Sequence, residues 1–294
     1  MARHDSTGRE SNMVNVTSIE AAAVAPDQLV SYVKAISGLQ SEICHKYVLH
    51  TADETGVLVA FPESPEYLEG DRGELFRKDL DAAIEAAIAR HGLKNISVLA
   101  PIVPDRAPEN AKKKTDRYWK LDLPSKEPGQ KLRNQLKSAR AKLRVGKEKW
   151  NRECAALARD FCERKNLDES TRFLFERLDS YLAESRNAVL YTARDASGTL
   201  QACAIADYSA LFVAFYMFAF GQKNAPPGAA DALLGEAVKE SEARGFSILN
   251  LGLGINPGIE FFKKKWGAEP YFQLIETEWE IPKRGFFKRL FGKR

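Results

Sequence analysis

The sequence predicts an α/β (α+β) protein with mixed, largely antiparallel central sheets, arranged as two halves. Three observations carry that expectation. Short runs rich in β-branched and aromatic residues alternate with stretches of helical spacing along the chain. A polar connector holding Pro101, Pro104 and Pro108 interrupts the alternation and marks a domain boundary. The most apolar run, Ala210 to Phe220, is far shorter than the ~20 residues of a membrane span and reads as a buried strand.

The composition fits that class. Of 294 residues, 44% are hydrophobic and 29% charged, which fits an ordinary soluble globular protein. The first fifteen residues are polar and mixed in charge, so a cytoplasmic protein with a short disordered N-terminus is expected. Cys44, Cys154, Cys162 and Cys203 have no metal-type spacing and read as reduced core thiols; no metal site is expected. The net charge of +4 conceals strong patterning. Fourteen Lys or Arg face four acids between Lys112 and Lys149, and the last twelve residues carry six cations and no acid. Such patches suit an anionic partner, or serve only as solvated charge.

The elements follow in order. Residues 27–38 have helical composition, and 46–50 and 57–61 read as strands about a turn at 54–56. Phe76, Leu80, Ala83, Ile84, Ala87 and Ile88 share one face of a helix over 73–91, which Gly92 stops. Strands are expected at 96–100 and 118–123. A basic helix follows over 130–145 with the stripe Leu132, Leu136, Ala139 and Leu143. Two more helices are placed near 149–165 and 169–184, the second capped by Asp168. Then come strands at 188–194, 200–208 and 211–220, a helix over 229–244 ended by Gly245, and a strand at 247–253. A short helix capped by Asn256 runs to Trp266, and one long or two short strands over 271–280 close the pattern.

Three stretches carry a family resemblance. "APPGAADALLGEAVKESEARGFSILNLGLG" (225–254), "NPGIEFFKKKWGAEPY" (256–271) and "YWKLDLPSKEPGQKLRNQLKSARAKLR" (118–144) resemble tandem GNAT acyltransferases. The similarity is to the Fem-like peptidyltransferases and the catalytic domain of phosphatidylglycerol lysyltransferases. It covers residues 115–281 well, and the N-terminal half looks like a degenerate first repeat. The resemblance implies a GNAT fold with this layout: a disordered 1–16, a degenerate GNAT-like 17–114, a GNAT acyltransferase domain 115–282 and a basic amphipathic tail 283–294. It also implies that strand 211–220 splays from strand 247–253 to leave a cleft. The helix starting at Gly228, Ala229 and Ala230 would then offer its free amides to a donor phosphate. Gln222 belongs to the same loop. The sequence departs from the usual acetyl-CoA loop, of which only Gly221, Gln222 and Gly228 remain. Lys263 matches the Lys of the Fem-type F-K pair, which the resemblance sets against the donor's phosphates or a peptide carbonyl.

Candidate catalytic residues follow from chemistry. Acyl transfer to an amine needs a proton acceptor, and His4, His45, His50 and His91 all lie in the first third of the chain. The base is therefore expected to be Asp207, Glu260 or water. Tyr208 or Tyr216 can protonate a leaving thiolate or hydroxyl. Asn250 shares a strand face with Gly252 and Gly254 and can bond a substrate backbone, or it is a satisfied structural Asn.

The expected function is acyl or aminoacyl transfer by direct attack of an amine or hydroxyl acceptor. The donor is a cosubstrate, acyl-CoA in preference to aminoacyl-tRNA, and no cofactor is tightly bound. The alternative is a non-catalytic membrane- or RNA-associated scaffold. The helix Lys131 to Arg144 suits tRNA. The tail Lys283 to Arg294 sets Phe286, Phe287, Leu290 and Phe291 among its cations, which suits an anionic lipid surface at the inner face of the membrane.

Overall fold

A computed structural model describes residues 18–282. The tail Lys283 to Arg294, on which the lipid-surface expectation rests, lies outside the described residues. No helix among the described residues is long and apolar enough to cross a membrane.

In chain order the elements are α1 (Val30–Ser37), β1 (Gln40–Cys44), β2 (Tyr47–Ala52), β3 (Thr55–Val59), α2 (Gly70–His91), β4 (Asn95–Ala100), β5 (Lys112–Asp122), α3 (Gln130–Lys142), β6 (Arg144–Glu148) and α4 (Arg152–Arg164). They continue with α5 (Glu169–Glu176), α6 (Leu178–Glu184), β7 (Ala188–Arg194), β8 (Leu200–Asp207), β9 (Val213–Gly221), α7 (Ala229–Ala243), β10 (Ile248–Leu253), α8 (Pro257–Lys265) and β11 (Glu269–Glu280).

These elements form two compact units that interleave in sequence. One holds residues 39–116 and 272–282, the other residues 20–38 and 117–271. The sequential division expected at 114/115 is thus replaced, because residues 275–280 pair with β4 and residues 20–38 bond to the second unit.

The first unit is a sheet in the order β1-β2-β3-β4-β11. β1, β2 and β3 form an antiparallel meander; α2 then crosses over to bring β4 parallel to β3. Leu80, Ala83, Ile84 and Ala87 of α2 are fully buried with Leu49, Leu58, Ile96 and Val98, as the helical stripe predicts. Gly92 ends α2 in the left-handed region, at φ 59°. The polar edge strand β1 is not among the expected elements, since QSEIC lacks an apolar alternation.

The second unit orders its strands β5-β10-β9-β8-β7-β6. β8 is buried along its whole length, as a central strand covered on both faces should be. One face packs against α3 and α7 through Leu132, Leu136, Leu233, Leu234 and Ala237. The other packs against α1 and α4–α6 through Cys154, Leu157, Leu178 and Tyr181. All four cysteines are buried and free. Two boundaries differ from expectation. α3 stops at Lys142, and Leu143 is extended, so Val145 and Gly146 join edge strand β6, where Glu148 pairs with Arg194. The single helix expected over 169–184 is two, parted at Arg177.

Candidate functional site

Parallel strands joined by a crossover helix normally stay paired along their length. β9 and β10 do not. They pair at Val213–Ile248, Ala214–Leu249 and Phe215–Asn250, and then part. Two register defects sit where they part. On β9, Ile205 faces Phe218 while Ala206 faces Tyr216, which leaves Met217 as the extra residue. On β10, Asn250 faces Lys120 and Leu253 faces Tyr118, so Leu251 and Gly252 both oppose Trp119. A bulge bends its strand and increases its twist, and here each bulge accompanies the separation. Gly252 takes φ +76°, a backbone region closed to most side chains. The Asn250 Oδ1 accepts its N–H at 2.8 Å and holds it there.

The parted strands enclose a cavity of about 230 Å³. Met217 and Phe218 of β9, Leu251 and Leu253 of β10, and Ile259 and Phe262 of α8 give it apolar walls, and Ala230 closes it from α7. Beyond Phe215 and Asn250 no ladder joins the facing edges of β9 and β10. At the mouth, Ile255 is exposed and sits at φ 58°, a strained choice for a β-branched residue. The Asn256 N–H bonds back to the Gly254 carbonyl at 2.6 Å and closes that tight turn.

Two polar residues, Lys263 and Tyr216, are among those that line the cavity. Lys263 is buried, and its ammonium donates to the carbonyls of Gly252 (2.8 Å) and Leu253 (2.5 Å), bracing α8 against the end of β10. Tyr216 is 7% exposed, and its hydroxyl has no hydrogen-bond partner among the described residues. Burial, with the Asp231 carboxylate adding to it, holds that phenol far above its ordinary pKa. The hydroxyls of Tyr47 and Thr277 and the Trp119 Nε1 are likewise buried without a partner among the described residues, and Tyr216 differs from them in belonging to a residue that lines the cavity.

The other candidates are engaged elsewhere. Asp207 is fully buried and accepts from the hydroxyls of Tyr181 (2.5 Å) and Ser185 (3.1 Å) and from the Ser209 N–H (2.8 Å). It anchors α6 to β8 rather than facing the cavity. The Tyr208 hydroxyl bonds that of Tyr191 at 2.7 Å, Arg244 stacks on its ring, and burial pushes its pKa up to about 12. Asn250 is the structural Asn of the two readings: its Nδ2 donates to the Val24 carbonyl at 2.8 Å and its Oδ1 serves Gly252. Gln222 turns to the Leu200 carbonyl at 2.6 Å and lines a separate groove beside α4. Glu260 pairs with Lys264 on the surface of α8.

The start of α7 is also largely occupied. A Cβ on Gly228 would lie 3.0–3.2 Å from Ala139 and Gln135, so α3 fills the space beside it. The Ala229 N–H bonds the Pro226 carbonyl at 3.1 Å. In the same first turn, buried Asp231 accepts from Trp266 Nε1 (2.9 Å) and pairs with Lys265 (2.6 Å), which sets a carboxylate against the positive end of the helix. Of the residues expected to hold the donor, Ala230 and Lys263 reach the cavity; Gln222, Gly228 and Ala229 do not. Lys131, Arg133, Lys137, Arg140 and Lys142 are exposed on α3, with Arg133 and Arg140 near Glu127 and Glu236.

The bulges at Met217 and Gly252 and the turn at Ile255 escaped the sequence reading, which put Gly252 on a regular strand face with Asn250 and Gly254. A signal existed for one of them: an Asn two residues before a Gly, Asn250-Leu251-Gly252, allows the side chain to bond the backbone two positions on. No cluster of three metal-capable side chains occurs among the described residues.

No protein-family model and no curated protein matches this chain. Solved structures do. A tandem GNAT protein from the clavulanic acid biosynthesis pathway matches with a TM-score of 0.56 at 13% identity, over 95% of this chain and 97% of that one. FemX matches with a TM-score of 0.59 at 10% identity, over 94% of this chain and 97% of that one. L-PGS from Bacillus licheniformis matches with a TM-score of 0.52 at 13% identity, over 83% and 85% respectively. Identities this low speak for the fold: the chain has the GNAT fold in its tandem form.

Proposed function

We propose that the second unit is an acyltransferase that receives the acyl end of its donor between β9 and β10. The observation that carries this reading is the cavity at the parting of two parallel strands. It combines apolar walls with strand edges beyond the last β9–β10 pair, and one of its lining residues is Tyr216, whose buried hydroxyl has no hydrogen-bond partner among the described residues. An amine or hydroxyl acceptor attacks the donor carbonyl directly, and the strand-edge amides polarise that carbonyl. The Tyr216 phenol ionises far above the ~8.5 of a thiol, so it keeps its proton and donates a hydrogen bond to the leaving group or oxyanion. No carboxylate or imidazole is among the residues that line the cavity, so the acceptor's proton leaves to water. An acyl-CoA is the preferred donor, because a thioester arm can follow a strand edge into so narrow a cleft; aminoacyl-tRNA is the other candidate. That absence of a base also favours a second reading, a GNAT fold that binds without turnover.

The test is calorimetric titration with acetyl-CoA. Wild type is expected to bind. Ala230→Phe, which places a ring in the cavity from an exposed position on α7, is expected to lose at least about tenfold in affinity, roughly 1.4 kcal/mol. Equal affinity in the two proteins would refute the placement, and binding without turnover of any amine would favour the second reading.

A further inference from the structure

We infer that the acyl group received by this cleft is uncharged and apolar, and that the cleft rejects one bearing an ammonium. The inference rests on the donor placement proposed above and names the chemistry of what is transferred. An ammonium carried into a confined apolar site needs a carboxylate or several carbonyls to replace its water. The cavity offers neither. No acid is among its lining residues, and the two acids next in sequence to lining residues are engaged: Asp231 by Trp266 and Lys265, and Glu260 by Lys264.

The carbonyls that an ammonium beside α8 would meet are those of Gly252 and Leu253, at the end of β10 where its register with β5 shifts. Both already accept from the Lys263 ammonium, at 2.8 and 2.5 Å. Lys263 therefore stands where an acyl ammonium would have to bond, and it presents a like charge at short range. The remaining walls, Met217, Phe218, Leu251, Leu253, Ile259 and Phe262, suit methyl and methylene groups. One cation thus does two things: it braces the bulge and sets the charge of the acyl group.

Two probes isolate this property. Non-hydrolysable ketone analogues of propionyl-CoA and glycyl-CoA share a carrier and differ only in a terminal methyl against a terminal ammonium. Titrated into the full chain near neutral pH, the propionyl analogue is expected to bind on the order of tenfold tighter or more. Ile255→Asp puts a carboxylate at the mouth of the cavity, in a left-handed conformation that Asp tolerates better than Ile, so folding is not at risk. It is expected to narrow the preference by about threefold, as a partly screened pair would. Equal binding of the two analogues, or tighter binding of the glycyl analogue, overturns the inference and leaves the donor placement standing. A preference unchanged in Ile255→Asp also overturns it, since the discrimination would then arise elsewhere. Binding of neither analogue overturns the donor placement and this inference with it.

Discussion

The two units each contain a parallel strand-helix-strand crossover, and only one of them opens. In the first unit, β3 and β4 pair without interruption from Thr55–Asn95 to Val59–Leu99, and the Ala60 N–H continues the ladder to the Leu99 carbonyl. β3 keeps an unbroken register with β2 as well. In the second unit, β9 and β10 separate after three pairs, with a bulge on each strand at the separation. The helix that follows the first strand does not make the difference. Both helices start against packed neighbours: a Cβ on Gly73 would collide with the Leu68 carbonyl, as one on Gly228 would crowd Gln135 and Ala139. Hydrophobic strands alone therefore give a closed crossover. The cleft accompanies register defects, and two side chains hold the β10 defect: Lys263 through the Gly252 and Leu253 carbonyls, and Asn250 through the Gly252 N–H.

The largest expected effect on this contrast comes from removing the Asn250 side chain. Asn250→Ala leaves the part-buried Gly252 N–H and the buried Val24 carbonyl without this partner and is expected to destabilise the chain by about 2–4 kcal/mol in urea unfolding. The Gly252 amide should also lose protection from hydrogen exchange. An unchanged midpoint with a protected Gly252 would show that the bulge does not depend on Asn250. Gly252→Ala is milder. The nearest atom to an added Cβ is the Tyr216 carbonyl oxygen at 3.8 Å, so the cost is that of the left-handed backbone alone, about 1–2 kcal/mol by the same assay. A loss well beyond that would mean the β10 bulge is more constrained than its contacts indicate. Tyr216→Phe is expected to affect stability least, because the hydroxyl it removes is unpaired. Stability should stay level or rise by up to about 1 kcal/mol. Turnover should fall by roughly 10–100-fold with binding unchanged, as for a lost transition-state hydrogen bond. A drop in stability without a drop in turnover would make Tyr216 a packing residue.

The layout of these crossovers was legible in the sequence because helical stripes and capping residues are local signals. The α2 stripe is buried, Gly92 and Gly245 take left-handed conformations, and the Asn256 side chain accepts from the N–H groups of Gly258 and Ile259 at the start of α8. The two edge strands β1 and β6 were not legible, since their polar sequences pair on one side only and carry no alternation. The candidate site was half legible. Tyr216, Ala230 and Lys263 are among the residues that line the cavity. Asp207, Tyr208 and Asn250 lie near the parting strands in sequence but turn to partners on α6, β7 and the segment 20–38. Side-chain direction at a bulge depends on cross-strand register, and register is a property of two strands at once.

The most direct test compares hydrogen exchange in the two crossovers with and without an acyl-CoA. The account predicts that amides in 216–221 and 251–255 gain protection when the donor binds, while those in 55–60 and 95–100 stay unchanged. Protection in the first unit's crossover, or none in the second's while the donor is demonstrably bound, would contradict it.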